Sequence, residues 1–163
     1  MVSGMNARTI PKTDARPWRL LYVADGAESI GLVETLLAGR KDLLLLRAMN
    51  PDRGMKLART RRPDAILIDV DLADTNALDF MKVLRADPAT EATPLLALGA
   101  SAAPEAIVKA LQAGFFQYLT KPLAAAPFME ALAFALAFTA VERSEHNPLA
   151  LRFGHHRTTF KEF

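Results

Sequence analysis

The sequence predicts an α/β protein: five βα units in succession, (βα)5, doubly wound into one parallel five-stranded sheet. Three observations predict it. From Trp18 onward, short apolar runs alternate with amphipathic stretches of about 10–15 residues, the rhythm of βα units. The first, third and fourth runs are apolar on consecutive positions, as central parallel strands covered on both faces require. Helix starts and stops are marked where the rhythm needs them, by Pro51 and Pro104 at starts and by Gly39 and Gly114 at ends.

The elements follow in order. Leu20–Ala24 is the first strand, ending at Asp25-Gly26, and the helix after it carries Ile30, Val33, Leu36 and Leu37 on one face. Leu43–Leu46 is the second strand. Pro51-Asp52 opens a helix through about Arg61, with Met55, Leu57 and Ala58 inward. The third strand, Ala65–Ile68, ends at Asp69; a loop over Val70–Thr75 leads to a helix near Asn76–Arg85, with Leu78, Met81, Val83 and Leu84 on its core face. After a turn over Ala86–Pro94 comes the fourth strand, Leu95–Leu98. A helix from Pro104 presents Ile107, Val108 and Leu111 at helical spacing until Gly114 stops it. Gln117–Thr120 is a short fifth strand ending at Lys121-Pro122, and a last helix runs from about Pro127 to Arg143.

With 163 residues there is room for one domain with tails: a polar, aperiodic arm over 1–17, the domain over 18–143, and a tail over 144–163. Composition excludes several classes. Hydrophobic residues make up 51% and charged residues 23%, a globular balance. Twenty Lys and Arg against 18 Asp and Glu, a net charge of +2, are too even for a dedicated nucleic-acid binder. No cysteine is present, which rules out disulfides, thiolate metal sites and cysteine nucleophiles. Met1–Pro17 lacks the apolar stretch of a signal peptide, and the run Ala131–Val141 is shorter than the roughly 20 residues of a membrane span. A cytoplasmic protein without membrane insertion is expected.

In an open α/β sheet, ligands bind outside the carboxyl ends of the strands, near the point where the strand order reverses. Asp25 follows strand one, Asp69 strand three and Lys121 strand five. In the order 2-1-3-4-5, strands one and three are neighbours there, so two carboxylates and an ammonium converge on one crevice. Paired carboxylates repel unless a cation neutralises them, and magnesium accepts one or two carboxylates together with waters and phosphate oxygens. Each charge taken alone would mark only a polar loop; the three together at strand ends point to a site.

Three segments carry a resemblance. Leu21-Tyr22-Val23-Ala24-Asp25-Gly26, then Arg62-Pro63-Asp64-Ala65-Ile66-Leu67-Ile68-Asp69-Val70-Asp71-Leu72, then Gly114-Phe115-Phe116-Gln117-Tyr118-Leu119-Thr120-Lys121-Pro122 resemble, in order and spacing, the signatures of the response-regulator receiver domain over about Arg19–Arg143. The resemblance implies the flavodoxin-like receiver fold and phosphorylation of Asp69 by a partner histidine kinase or phosphotransfer protein. It implies that Asp25 ligates Mg2+, with Asp69 and the backbone carbonyl, not the side chain, of Asp71. Lys121 would bind the phosphoryl oxygens and pair with Asp69 when no phosphoryl group is present, and the Lys121-Pro122 bond would be cis.

The pattern also breaks. Ala24 stands where the family has the first acid of its pair, so magnesium is expected to bind weakly. Gly99 stands where the family has a Ser or Thr that moves on activation; Ser101 would substitute only if the loop shifts. Tyr118, the aromatic coupled to that hydroxyl in the family, has lost its partner, and a plain half-buried strand tyrosine is an equal reading. The loop after Asp69 departs as well, at Ala73 and Ala77.

Other readings find little support. Asp69-Val70-Asp71 also resembles the DxD motif of haloacid-dehalogenase-like phosphatases, but that motif opens the fold there, and here no Asp follows Asp87. Neither a dinucleotide nor a P-loop glycine motif occurs. His146, His155 and His156 read as solvated tail residues, and Arg59, Arg61 and Arg62 as complements to a helix C-terminus. On the last helix, Phe128, Leu132, Ala135, Leu136 and Thr139 form a sheet-facing side, whereas Phe134, Phe138 and Val141 fall on another. Either the tail covers them or they form a homodimer or partner surface. The expected function is a phosphoacceptor domain, not an enzyme beyond autophosphatase activity, that signals to a downstream protein by contact. The alternative is a degenerate receiver acting as a phosphorylation-independent interaction module.

Overall fold

Apolar residues on consecutive positions fold here into strands that lie between two layers of helices. The computed structural model describes residues 10–11, 16–72 and 76–146. Its elements are β1 Trp18–Val23, α1 Ala27–Leu36, β2 Leu43–Ala48, α2 Pro51–Arg61, β3 Ala65–Asp69, α3 Ala77–Ala86, β4 Leu95–Gly99, α4 Pro104–Ala113, β5 Gln117–Thr120 and α5 Ala125–His146. All strand pairs are parallel and the order is β2-β1-β3-β4-β5. The predicted (βα)5 architecture and strand order are therefore those of the molecule. β2 extends two residues further than its apolar run because Arg47 and Ala48 still pair with Tyr22 and Val23.

Alternation along the strands divides the core in two. Leu20, Tyr22, Leu67, Leu96, Leu98 and Leu119 face α1 and α5, meeting Val33, Phe128, Leu132 and Leu136. Leu21, Val23, Ile66, Ile68, Leu95 and Ala97 face the other layer, meeting Ala58, Phe80, Met81 and Leu84. Asn50 and Asn76 cap α2 and α3, their side chains accepting from Arg53 N, and from Leu78 N and Asp79 N.

Two helices turn differently from the sequence expectation. On α3 the buried residues are Phe80, Met81 and Leu84, while Leu78 and Val83 are 36% and 43% exposed. At about 100° per residue Leu78 and Val83 flank the arc centred on Phe80 and Leu84, so both lie at its rim. α4 buries no side chain fully, and Val108 and Leu111 are 49% and 46% exposed; Ala106, Ile107 and Ala110 are partly covered. Gly114 ends α4 at φ +115°, a conformation that side chains disfavour.

α5 is anchored instead. Asp64, wholly buried before β3, pairs with Arg143 and accepts a hydrogen bond from Arg19 N at 2.6 Å, while Thr139 donates to its carbonyl at 2.7 Å. Arg143 also lies over the Trp18 ring, and Trp18 Nε1 donates to the Pro11 carbonyl. Ile10 is buried in the same core. Over Ala125–Glu145 this helix is long and apolar enough to pass for a membrane span, which the shorter run Ala131–Val141 does not bring out. Its apolar side is the inner wall of the domain, with Phe128, Ala131, Leu132, Ala135 and Leu136 buried.

Candidate functional site

Parallel register lines up the strand ends. Val23 is level with Ile68, Asp69 with Leu98, and Gly99 with Thr120, so residues just beyond meet over one edge of the sheet. Asp69, the last residue of β3, is buried. Lys121 Nζ lies 2.9 Å from its carboxylate and 3.2 Å from Asp71 Oδ2. The Asp71 N–H donates to Asp69 Oδ1 at 2.9 Å. The Lys121-Pro122 bond is cis.

Burial works against the Lys121 ammonium, but hydrogen bonds and charge from Asp69 and Asp71 outweigh it and leave its pKa raised. Tyr22 is a site neighbour that the sequence did not single out. Its phenol is pushed up to about 12, first by burial and then by the Asp69 charge; a hydrogen bond with Ser29 and the Lys121 charge partly oppose this. The apolar neighbours of Tyr22 in the strand hide that proximity in the sequence.

The resemblance gives Asp71 a role only through its carbonyl, toward magnesium; its side chain has contacts of its own. Its side chain is turned into the site, where Oδ2 accepts from Ala100 N at 2.7 Å as well as pairing with Lys121. Asp71 lies in the turn that follows β3, so strand alternation does not predict its direction; the turn itself, closed by the Asp71 N–H on Asp69 Oδ1, brings it back over the site.

Gly99 and Tyr118 are coupled sterically. A Cβ at position 99 would lie 2.3 Å from Tyr118 Oη and 2.8 Å from Val70 Cγ2. The Tyr118 ring occupies the space that glycine leaves and, with no hydroxyl at position 99 to meet, donates to the Ser101 carbonyl at 2.8 Å. Burial first, then the Asp71 charge, raises its pKa, against a lowering by Lys121. The Ser101 hydroxyl is turned to its own loop, accepting from Ala103 N at 3.2 Å. A groove of about 430 Å3, bordered by Val70, Asp71, Lys109, Ala110, Phe115 and Tyr118, opens beside this cluster, between α3 and α4.

Asp25 is exposed, two residues beyond the end of β1, and Ala24 is fully buried with no side-chain oxygen. Among the described residues no three His, Cys, Asp or Glu side chains are grouped to hold a metal. The carboxylates near this edge are those of Asp25, Asp69 and Asp71, of which the Asp71 side chain is already engaged by Lys121 and Ala100 N. Such a sparse set fits a magnesium ion that keeps most of its waters, not a dehydrated cage.

Away from the strand ends, Phe134, Phe138 and Val141 are 49%, 38% and 49% exposed on α5. Phe138 stacks at a tilt on Phe116, ring centroids 5.6 Å apart. The tail invoked to cover them lies, beyond His146, outside the described residues.

The family model of the response regulator receiver domain matches residues 20–133. The chain belongs to that family. KdpE, the KDP operon transcriptional regulatory protein of Escherichia coli, is 32% identical over 103 residues, covering 63% of this chain and 44% of that protein. DivK, the polar-differentiation response regulator of Brucella anthropi, is 31% identical over 87 residues, 53% of this chain and 71% of that protein. RpfC, a sensory/regulatory protein of Xanthomonas campestris, is 32% identical over 120 residues, but this chain spans only 16% of its length. Among solved structures, the chemotaxis response regulator CheY4 of Vibrio cholerae superposes with a TM-score of 0.67 at 22% identity, over 74% of this chain and 99% of that one, which bears on the fold. Receiver domains are signalling modules of two-component systems that work with histidine kinases and downstream effectors.

Proposed function

We propose that residues 18–143 form a phosphoacceptor unit in which Asp69 takes a phosphoryl group from a histidine kinase or phosphotransfer protein. The observation that carries this reading is the Asp69–Lys121 pair at 2.9 Å, set at the carboxyl edge of a receiver sheet. An Asp69 oxygen attacks phosphorus, the donor's bond to phosphorus breaks, its electron pair leaves with the donor, and an acyl phosphate remains on Asp69. Lys121 moves from the carboxylate onto the new phosphoryl oxygens and balances their charge. Asp25, Asp69 and the Asp71 carbonyl would hold magnesium, which when bound supplies further neutralisation of those oxygens. Ala24 contributes no ligand, so binding in the millimolar range is expected. Output passes by contact to a downstream protein, and Phe134, Phe138 and Val141 supply apolar contact area for it. The chain itself is no enzyme beyond hydrolysis of its own acyl phosphate.

The test is mass spectrometry after incubation with acetyl phosphate and magnesium. The wild type gains one phosphoryl group on Asp69 and Asp69→Ala gains none. A phosphoryl group mapped to Asp71 or Asp74, or an unmodified wild type, refutes the reading.

A further inference from the structure

We propose that Asp71 is a positioning residue: its carboxylate ties the Asp69–Lys121 pair to the loop between β4 and α4 and so sets where α4 begins. The inference rests on the reading of Asp69 as the acceptor.

Four contacts form a continuous chain. Lys121 Nζ bridges the Asp69 carboxylate and Asp71 Oδ2, at 2.9 and 3.2 Å. The same Asp71 oxygen accepts from Ala100 N at 2.7 Å. One residue on, the Ser101 carbonyl accepts from Tyr118 Oη at 2.8 Å. α4 starts at Pro104, three residues later. With no fully buried side chain and an open groove of about 430 Å3 between it and α3, its placement depends on how its entry loop is held more than on core packing. Two consecutive loop residues are held, one by Asp71 and one by Tyr118. Gly99 has no side chain to do this, and the space beside it is filled by the Tyr118 ring.

Asp71 Oδ2 is shared between an ammonium and an amide. When Lys121 turns to a phosphoryl group on Asp69, Asp71 loses its counter-ion, and a carboxylate 42% exposed at its side chain gains by turning to water. The Ala100 amide is then released. In the resting protein the loop is tied at both Ala100 and Ser101; in the phosphorylated protein the tie at Ala100 is released and that at Ser101 remains. Phosphorylation is thereby coupled to α4 through Asp71.

The experiment is residue-resolved hydrogen exchange on the full chain, following the Ala100 amide against Ile68 in the core. In the resting state Asp71→Ala should speed Ala100 exchange tenfold or more and leave Ile68 unchanged, which a general loss of stability would not do. Asp71→Asn keeps an accepting oxygen and should hold Ala100 within threefold of wild type. Lys121→Met should speed Ala100 at least threefold in the wild-type background and not at all in the Asp71→Asn background. Unchanged Ala100 exchange in Asp71→Ala, or in Lys121→Met, overturns the proposal; the asparagine background carries the test if the alanine variant does not fold. Acetyl phosphate with magnesium should speed Ala100 in the wild type. If Asp69 is modified and Ala100 does not respond, the coupling is wrong although the acceptor reading holds. If Asp69 is never modified while the resting-state variants behave as expected, the acceptor reading fails and the positioning role of Asp71 stands.

Discussion

Gly99→Ser places a side chain where the structure already holds one. Its Cβ would sit 2.3 Å from Tyr118 Oη, 2.9 Å from Tyr118 Cζ and 2.8 Å from Val70 Cγ2, all well inside contact distance. The Tyr118 ring is the more movable neighbour, since it ends in solvent near Ser101, so it swings out and Val70 shifts. The lost hydrogen bond to the Ser101 carbonyl is worth about 1 kcal/mol net. Crowding of Val70 and re-exposure of ring surface bring the loss into the range of about 2–3 kcal/mol seen for overpacked sites. Serine in place of glycine restricts the unfolded chain and returns roughly 0.5–1 kcal/mol. The net expectation is destabilisation by about 1–2 kcal/mol. Urea unfolding followed by the single tryptophan, the buried Trp18, measures it directly. In a Tyr118→Ala background the same substitution should lose at least half of its effect, because the tightest contact is gone. Destabilisation below about 0.5 kcal/mol, or an equal loss in both backgrounds, refutes the claim that Tyr118 fills the Gly99 space.

Asp64→Ala should destabilise by about 2–4 kcal/mol, since it strips a buried acceptor from Arg19 N and the ion pair from Arg143; urea unfolding measures it, and a loss under 1 kcal/mol would mean that α5 is not anchored there. Gly54→Ala would ordinarily favour a helix, yet its Cβ would lie 2.8 Å from Val23 Cγ2 and 3.3 Å from Phe80, so a net loss of about 1 kcal/mol is expected. Tyr22 titrates near 12 in the folded chain against an ordinary value of 10.0. A raised pKa means stability is complete below pH 10 and falls as pH rises towards 12, by at most about 3 kcal/mol; Tyr22→Phe should flatten the alkaline limb of an unfolding series, and parallel limbs would contradict the burial of its phenol. Phe134→Ser with Phe138→Ser should cost under about 2 kcal/mol in urea unfolding, because both rings are already part-exposed; a larger loss would mean that they are covered in the folded chain.

The two ends of the sheet are built for different purposes. At the amino edge a buried carboxylate, an arginine and a threonine lock α5 to the start of β3, as a rigid base. At the carboxyl edge the contacts are shared, partly exposed and polar, and the helix next to them is underpacked. Ion pairs of this exposed kind are individually weak, which suits groups that must exchange partners.

The repeating scaffold is legible in local sequence. Consecutive apolar positions dictate buried parallel strands, and the prolines and glycines at Pro51, Pro104 and Gly114 bracket helices whose limits the structure reproduces closely. These are local properties, carried by periodicity and backbone restriction, and they also put Asp25, Asp69 and Lys121 at strand ends. The details of the site depend instead on how separate segments crowd one another. No spacing in the chain says that Tyr118 would occupy the room beside Gly99, because that needs the β4–β5 register. Nor does it say that the Asp71 side chain would reach both Lys121 and Ala100, which belong to segments joined only through the sheet. Leu78 and Val83 lie outside the buried arc of α3 for the same reason: a helix has several apolar neighbours in sequence, and only the surface it packs against selects which of them are buried.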